Sequence, residues 1–423
     1  MGAEASASIG LMETTMWLLG SICSATAAGF YVQVSHQLGS NDPARARSTL
    51  RQGIISVLVV SALLGLVSLA VSPFLPTWLG GNSHITPTAS AYFAIVATAL
   101  PIFQFSIFGA GMLRSSGNMV VPSVMSVVMM SLDVVFNFFL IFPTRPVELF
   151  GTQIMMPGMG LGVVGAAIGT VSAELVAASI TMYILCFRSK ELSLRIDTGR
   201  FLPTWGVVKR ALHISLPMGL QQTIMCSAYV MTTIIIAPLG TFAIAANSFG
   251  IIIESLCYMP GYGIADAATT LVGQSIGAGR HELMKRFAWL SVGLGVTVMA
   301  VMGVVMYVGA PVAMAMMTPA EEVRRLGVEV LRIEAFAEPM FAAAIVSYGV
   351  FVGAAKTLVP SIMNLVSIWG VRISLAAMLA PSMGLRGVWI AMCIELCFRG
   401  LIFLVKLKFW NIQTSCKHYG KDQ

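Results

Sequence analysis

The stretch Val121-Pro122-Ser123-Val124-Met125 reappears 238 positions later as Val359-Pro360-Ser361-Ile362-Met363, and the repetition runs well beyond these five residues. Followed outward without a gap, residues 2 to about 128 return at 240 to 366. Gly2, Ala5, Ala7, Leu18, Val34 and Gly39 meet Gly240, Ala243, Ala245, Leu256, Val272 and Gly277, while Pro73, Pro101 and Pro122 meet Pro311, Pro339 and Pro360. Self-similarity on this scale means that one structural unit is used twice.

Composition says what kind of unit it is. The 423 residues are 57% hydrophobic and only 10% charged, with a mean hydropathy of +0.86, which leaves too few charges to cover a water-facing surface. The chain therefore reads as an all-α integral membrane protein. Apolar runs long enough to cross about 30 Å of hydrocarbon recur throughout, separated by polar or Gly/Pro-containing turns. About eleven helices are expected, near 6–35, 46–72, 88–113, 119–142, 161–187, 210–236, 241–275, 284–309, 323–352, 357–380 and 385–408. They lack the period-two alternation of a lipid-facing strand, which excludes a barrel. This divides the chain into an N-terminal bundle of about five helices at 1–188, a cytoplasmic linker at 189–209, a C-terminal bundle of six at 210–410 and a cytoplasmic tail at 411–423.

The net charge of +7 is distributed as membrane topology requires, not as a nucleic-acid surface. Eighteen of the 25 Lys and Arg fall on the side carrying the loops after helices 1, 3, 5, 7 and 9 and the tail, among them Arg45, Arg47, Arg51, Arg114, Arg195 and Arg286. Five lie opposite, at Arg145, Arg324, Arg325, Arg332 and Arg386, and Arg372 and Arg399 lie within helices. The richer side is expected to be the cytoplasm, with the C-terminus there. An even number of helices separates Gly2 from Gly240, so both copies are expected to cross in the same direction, as parallel repeats. The second copy opens with the helix at 210–236, whose partner falls before residue 1. The first copy is thus expected to lack its leading helix, as a truncated start or curtailed gene model would produce.

Several segments bear specific wording. AAN at 245–247, followed by MPGYGIADAATTLVGQSIGAGR at 259–280, is similar to the hallmark of the multidrug and toxic compound extrusion (MATE) family. WGVRISLAAML at 369–379 and GLRGVWIAMCIELCFRGLIFL at 384–404 resemble the last two helices of its prokaryotic members. LDVVFNFFLIF at 132–142 and GLGVVGAAIGT at 160–170 resemble the fifth and sixth. The resemblance covers essentially the whole chain. It implies antiport, in which protons or Na⁺ enter while an organic, often cationic, compound leaves through a cleft between two bundles.

Charges within the membrane cost at least about 2.5 to 3.5 kcal/mol each, so every buried carboxylate asks for a reason. Asp133 and Asn137 lie one turn apart on one helix face. An acid there, desolvated and hydrogen-bonded, is suited to take a proton from one side and release it to the other. The resemblance implies that proton-coupled relatives carry Asn then Asp here, with a Thr of the next helix and an Asp of the first. This chain has the pair in swapped order, Thr170 stands where the Thr is expected, and the first-helix Asp has no counterpart. A pair that only joins two helices is the competing reading. In the second copy, Glu254 and Glu338 each fall about 20 Å below the outer end of their helices at 1.5 Å per residue, a depth that permits a shared cation or substrate site. The positions used by Na⁺-coupled relatives fall nearer Met225 and Phe341, so these two acids are not motif matches. Glu395 and Arg399, spaced i, i+4, with Arg372 at similar depth on the preceding helix, suit a structural ion-pair network. Glu13 and Glu174 are embedded without an assigned role, and Asp266 is expected to mark a helix end. Pro101 and Pro339, at matched positions inside helices, are expected to kink them and serve as hinges or as plain bundle-shaping bends. The 28 Met suit either an adaptable cleft or lipid-facing filler.

Other motifs lead nowhere. Gly160, Gly162 and Gly165 spell the dinucleotide fingerprint, but no βαβ unit surrounds them, and helix packing explains them. GAAKT at 353–357 has Ala355 where a phosphate loop needs Gly. Seven Cys, an odd number mostly inside apolar runs, form no disulfide framework, and the five His have no metal-ligand spacing. No cofactor, nucleotide or nucleic acid is expected, only a coupling ion, H⁺ or Na⁺, with the lipid bilayer and a small organic substrate as partners of a chain expected to act as a monomer. Three other functions compete with export. They are a flippase for a lipid-linked or amphiphilic molecule, a membrane-embedded enzyme, which would need a nucleophile or metal constellation that the sequence lacks, and a non-transporting remnant.

Overall fold

The computed structural model describes residues 3–81, 84–149 and 152–410, and the tail at 411–423 lies outside them. The elements are α1 (Ala3–Gly39), α2 (Pro43–Val71), a short α3 (Leu75–Trp78), α4 (Thr86–Thr98), α5 (Leu100–Ser115), α6 (Val120–Ile141), β1 (Pro143–Leu149), β2 (Thr152–Met159) and α7 (Gly162–Tyr183). They continue with α8 (Trp205–Ile236), α9 (Thr241–Gly277), α10 (His281–Met317), α11 (Glu321–Glu334), α12 (Glu338–Gly353), α13 (Leu358–Ser367), α14 (Ser374–Met383) and α15 (Leu385–Lys408). Turns of π-helix extend α7 over Ile184–Arg188 and join α13 to α14 over Ile368–Ile373. Among the described residues nine helical segments are long and apolar enough to span a membrane, and two bent pairs bring the spans to eleven, as the hydropathy reading expects.

The bent pairs sit where Pro101 and Pro339 were expected to act. α4 and α5 meet at 48°, and α11 and α12 meet at 59°. A proline near the start of the second helix of each pair has no N–H to give to the preceding turn, so the hydrogen-bond ladder stops there. Pro311 behaves otherwise. The expectation ended its helix near 309, but α10 runs through Pro311 to Met317. The matched Pro73 follows the end of α2 at Val71. One lost backbone bond is tolerated where neighbouring helices hold the flanking turns, as α11 does here through Gly327, whose Cα packs on the Met314 side chain.

In the connection after α6, β1 pairs antiparallel with β2 as the two arms of a hairpin, with Pro143 paired to Met159 and Arg145 to Met156. Arg145 lies over the ring of Phe142 at 3.8 Å, tying the hairpin to the end of α6.

The chain divides between Gly219 and Leu220 into two compact units. In the first, Phe30, Leu50, Phe108, Met112 and Leu185 form the core, with Phe30 and Phe108 edge to face at 6.4 Å. Helices approach closely through small residues, the usual means of packing where lipid removes the hydrophobic drive between helices. A Cβ on Gly165 would stand 2.5 Å from the carbonyl oxygen of Leu140, so this glycine of the apparent dinucleotide fingerprint lets α7 lie against α6. The linker is fastened to the same unit. Arg47 Nε donates to Asp197 Oδ2 at 2.8 Å, Arg51 also pairs with Asp197, and Gln52 Oε1 accepts from both the N–H and the hydroxyl of Thr204. α8 begins at Trp205, within the stretch read as linker. The second unit has two cores, one around Val292, Val346, Phe351 and Phe403, the other around Ile253, Met306, Val330 and Trp389, whose indole N–H donates to Asn247 at 3.0 Å.

Candidate functional site

In the second unit the break between α11 and α12 delivers two acids into the protein. Glu334 closes α11 and Glu338 opens α12, and both side chains are buried, at 1% exposure each. Glu338 occupies the first turn of its helix, where the unpaired N–H groups favour negative charge. Both of its carboxyl oxygens are nevertheless buried without a hydrogen-bond donor, as is Oε2 of Glu334. Glu254, buried on α9, lies within electrostatic reach of Glu334 and Glu338 and of Arg372 and Arg399.

A tighter arrangement closes one side of this group. Glu395 on α15 is fully buried and grips Arg399 through two hydrogen bonds of 2.7 Å each, Nε to Oε1 and Nη2 to Oε2. The Ser367 hydroxyl donates to Oε1 at 2.5 Å, and Arg372 Nε stands 3.3 Å from Oε2, near enough for an ion pair although its N–H points elsewhere. The structure thus joins Arg372, Glu395 and Arg399 and sets them beside Glu254 and Glu338. Four carboxylates face two guanidiniums, and Glu395 engages both arginines. Glu254, Glu334 and Glu338 are left with little compensation in a medium where isolated charge is expensive, and a bound proton or cation would relieve it.

The first unit holds a smaller polar group. Asp133 and Asn137 are half-buried on α6, each with a buried Oδ1 that finds no donor. Asn137 packs directly on Gly169, whose lack of a side chain makes room for it, and Thr170, the next residue of α7, is half-buried. Among the described residues no hydrogen bond links Thr170 to either partner. One turn further along α7, Glu174 is buried, has the Ser106 hydroxyl as its partner and lies within electrostatic reach of Asp133. Tyr92 on α4 reaches Asp133 and Glu13 in the same sense.

Sequence reading missed Glu334 as a site residue and gave Glu174 no role. The available signal was spacing. Glu334 is four residues from Glu338, and Glu174 four from Thr170, so each falls on a face already singled out. Among the described residues no three of His, Cys, Asp and Glu are grouped as metal ligands.

A profile of the MatE family matches residues 1–139 and 217–378, one block in each copy of the repeat. The chain is 24% identical over 407 residues to the probable multidrug resistance protein NorM of Thermotoga maritima, covering 95% of this chain and 84% of that one. It is 27% identical over 398 residues to the protein of the same description from Chromobacterium violaceum, covering 92% and 82%. Among solved structures, an outward-facing multidrug resistance MATE family transporter of the MOP superfamily superposes with a TM-score of 0.88 at 19% identity, over 99% of this chain and 90% of that one. A MOP superfamily transporter from Pyrococcus furiosus superposes at 0.86, also at 19% identity, over 96% and 88%.

Proposed function

The chain belongs to the MatE family and is a multi-pass membrane transporter, not an enzyme, and from that premise we propose that it is a secondary antiporter. It exports organic, cationic or amphiphilic compounds by alternating access, in exchange for protons or Na⁺. One observation carries the exchange reading: the carboxyl oxygens of Glu338 are buried in a helical bundle with no donor, beside Glu254 and Glu334. A carboxyl so placed is stable when it holds a proton or a cation and strained when it does not, which is the property a coupling group needs. In the first unit Asp133, with Asn137, Thr170 and Glu174 beside it, forms a second coupling group of the same kind. Pro101 and Pro339 act as the hinges. The uneven distribution of Lys and Arg supports a cytoplasmic C-terminus, and the chain works as a monomer.

Cells expressing the full-length protein are expected to lose ethidium faster than controls, and Glu338→Gln and Asp133→Asn are each expected to remove the difference. Undiminished efflux in both variants would overturn the coupling assignment. Replacing external Na⁺ by K⁺, and separately collapsing the proton gradient, identifies the ion, because only loss of the true driving gradient stops export.

A further inference from the structure

The second unit carries a charged groove that the transport reading does not use. It lies between the end of α10 and the outward face of α11, has a volume of about 610 Å³, and is lined by Arg324, Arg325 and Arg332 together with Pro311, Val328 and two glutamates. α11 folds with Val323, Gly327, Val330 and Leu331 buried, so its i, i+3, i+4 stripe of charge faces away from the core. The glutamates are engaged: Glu321 pairs with Arg324, and Glu329 with Arg386. Arg325 is exposed and has no carboxylate partner among the described residues. Arg332 lies over the ring of Tyr307 at 5.2 Å and donates its Nε–H to the Tyr307 carbonyl at 3.4 Å, and its guanidinium likewise has no carboxylate partner among the described residues. Arg324 Nε is buried with no acceptor. The groove therefore offers guanidinium donors in excess of the carboxylates that could neutralise them, the arrangement that favours a phosphate.

Its surroundings are not those of a water-soluble ligand site. Pro311 shares its turn of α10 with Val308 and Val312, which are 70% and 65% exposed, and Val301, Val304 and Val305 prolong the same apolar face. Phe336, 72% exposed, stacks edge-on against Tyr307 at the rim. In a membrane protein such a face meets acyl chains. A headgroup pocket at one end of a chain-facing track has the chemistry of a phospholipid, with phosphate at the arginines and hydrocarbon along α10. We propose that this groove binds the headgroup of an anionic phospholipid through Arg325 and Arg332, with Arg324 as a third donor.

The test uses the full-length protein, delipidated in detergent, titrated with short-chain phosphatidylglycerol or phosphatidylcholine and followed by native mass spectrometry. Phosphatidylglycerol is expected to bind in preference, and Arg325→Gln and Arg332→Gln are each expected to weaken it about fivefold, the usual contribution of one basic residue near a charged lipid surface. Arg286→Gln, about 37 Å away near the other end of α10 at the rise of a helix, is expected to leave binding unchanged. Both groove arginines are exposed, so their variants are expected to melt with the parent protein. Equal affinity for the two lipids, unchanged affinity in the double variant, or displacement of phosphatidylglycerol by an equal concentration of inorganic phosphate would each overturn the proposal.

Discussion

At the break between α4 and α5 the first residue of the new helix is Leu100, and at the matched break between α11 and α12 it is Glu338. The two backbones do the same thing. Each stops one helix, bends by 48° or 59°, and starts the next with a proline in its first turn. The side chains differ completely. Glu254, Glu334 and Glu338, moved back by 238 positions, land on Met16, Val96 and Leu100, so all three under-compensated acids of the second unit face apolar counterparts in the first. The acids of the first unit's polar group, Asp133 on α6 and Glu174 on α7, lie elsewhere, past the end of the gap-free repeat. A broken span is thus a shared architectural device, and charge at the break is an addition that one copy acquired or the other lost.

Four measurements test this contrast. The largest effect is expected for Arg399→Ala, which strands the buried Glu395 and should cost about 3 to 5 kcal/mol, read as a lowered melting temperature in detergent. Next is Leu100→Glu, which places at the first break the carboxylate that the second tolerates. With no arginine pair nearby it should cost about 2.5 to 3.5 kcal/mol, and a protein that melts unchanged would show that the first break is as receptive as the second. The converse change, Glu338→Leu, is expected to leave the melting temperature equal or raised while coupled transport into proteoliposomes falls at least about fivefold, the lower range of coupling between two ligands. Retained gradient-driven uptake would place the ion elsewhere. The smallest effect belongs to Glu321→Gln, where an exposed pair with Arg324 should contribute no more than about 1 kcal/mol. A larger loss would mean that the groove on α11 is part of the structural core.

The spans were legible because length and hydropathy are written locally, and the two breaks were legible because Pro101 and Pro339 carry the same mark at the same offset. The inward face of each helix was not. In a water-soluble helix the apolar stripe points to the core, but here lipid-facing Val304, Val308 and Val312 are as apolar as the buried Met306 and Ala310, so the pattern does not say which side is inside. Glu334 was hidden for this reason. It lies in EEVRRLGVEVLRIE, where charges on every side suggest a watery helix end and outweigh its spacing from Glu338, and the packing of α11 against α9 and α15 decides that this one acid turns inward. The hairpin at 143–159 was obscured by three prolines, and α10 was read short because Pro311 ends a helix only where nothing else supports it.

The π-helical turn at Ile368–Ile373 carries Arg372 and accommodates one residue more than a regular α-turn would. A single codon lost there would let the segment close into a regular α-turn, with the residues on either side kept in register and the span shortened by only one position. The widened turn that holds Arg372 3.3 Å from the carboxylate of Glu395 would be gone, without any apolar side chain having changed. The contact between these two helices is therefore vulnerable to a lesion that a hydropathy plot cannot register.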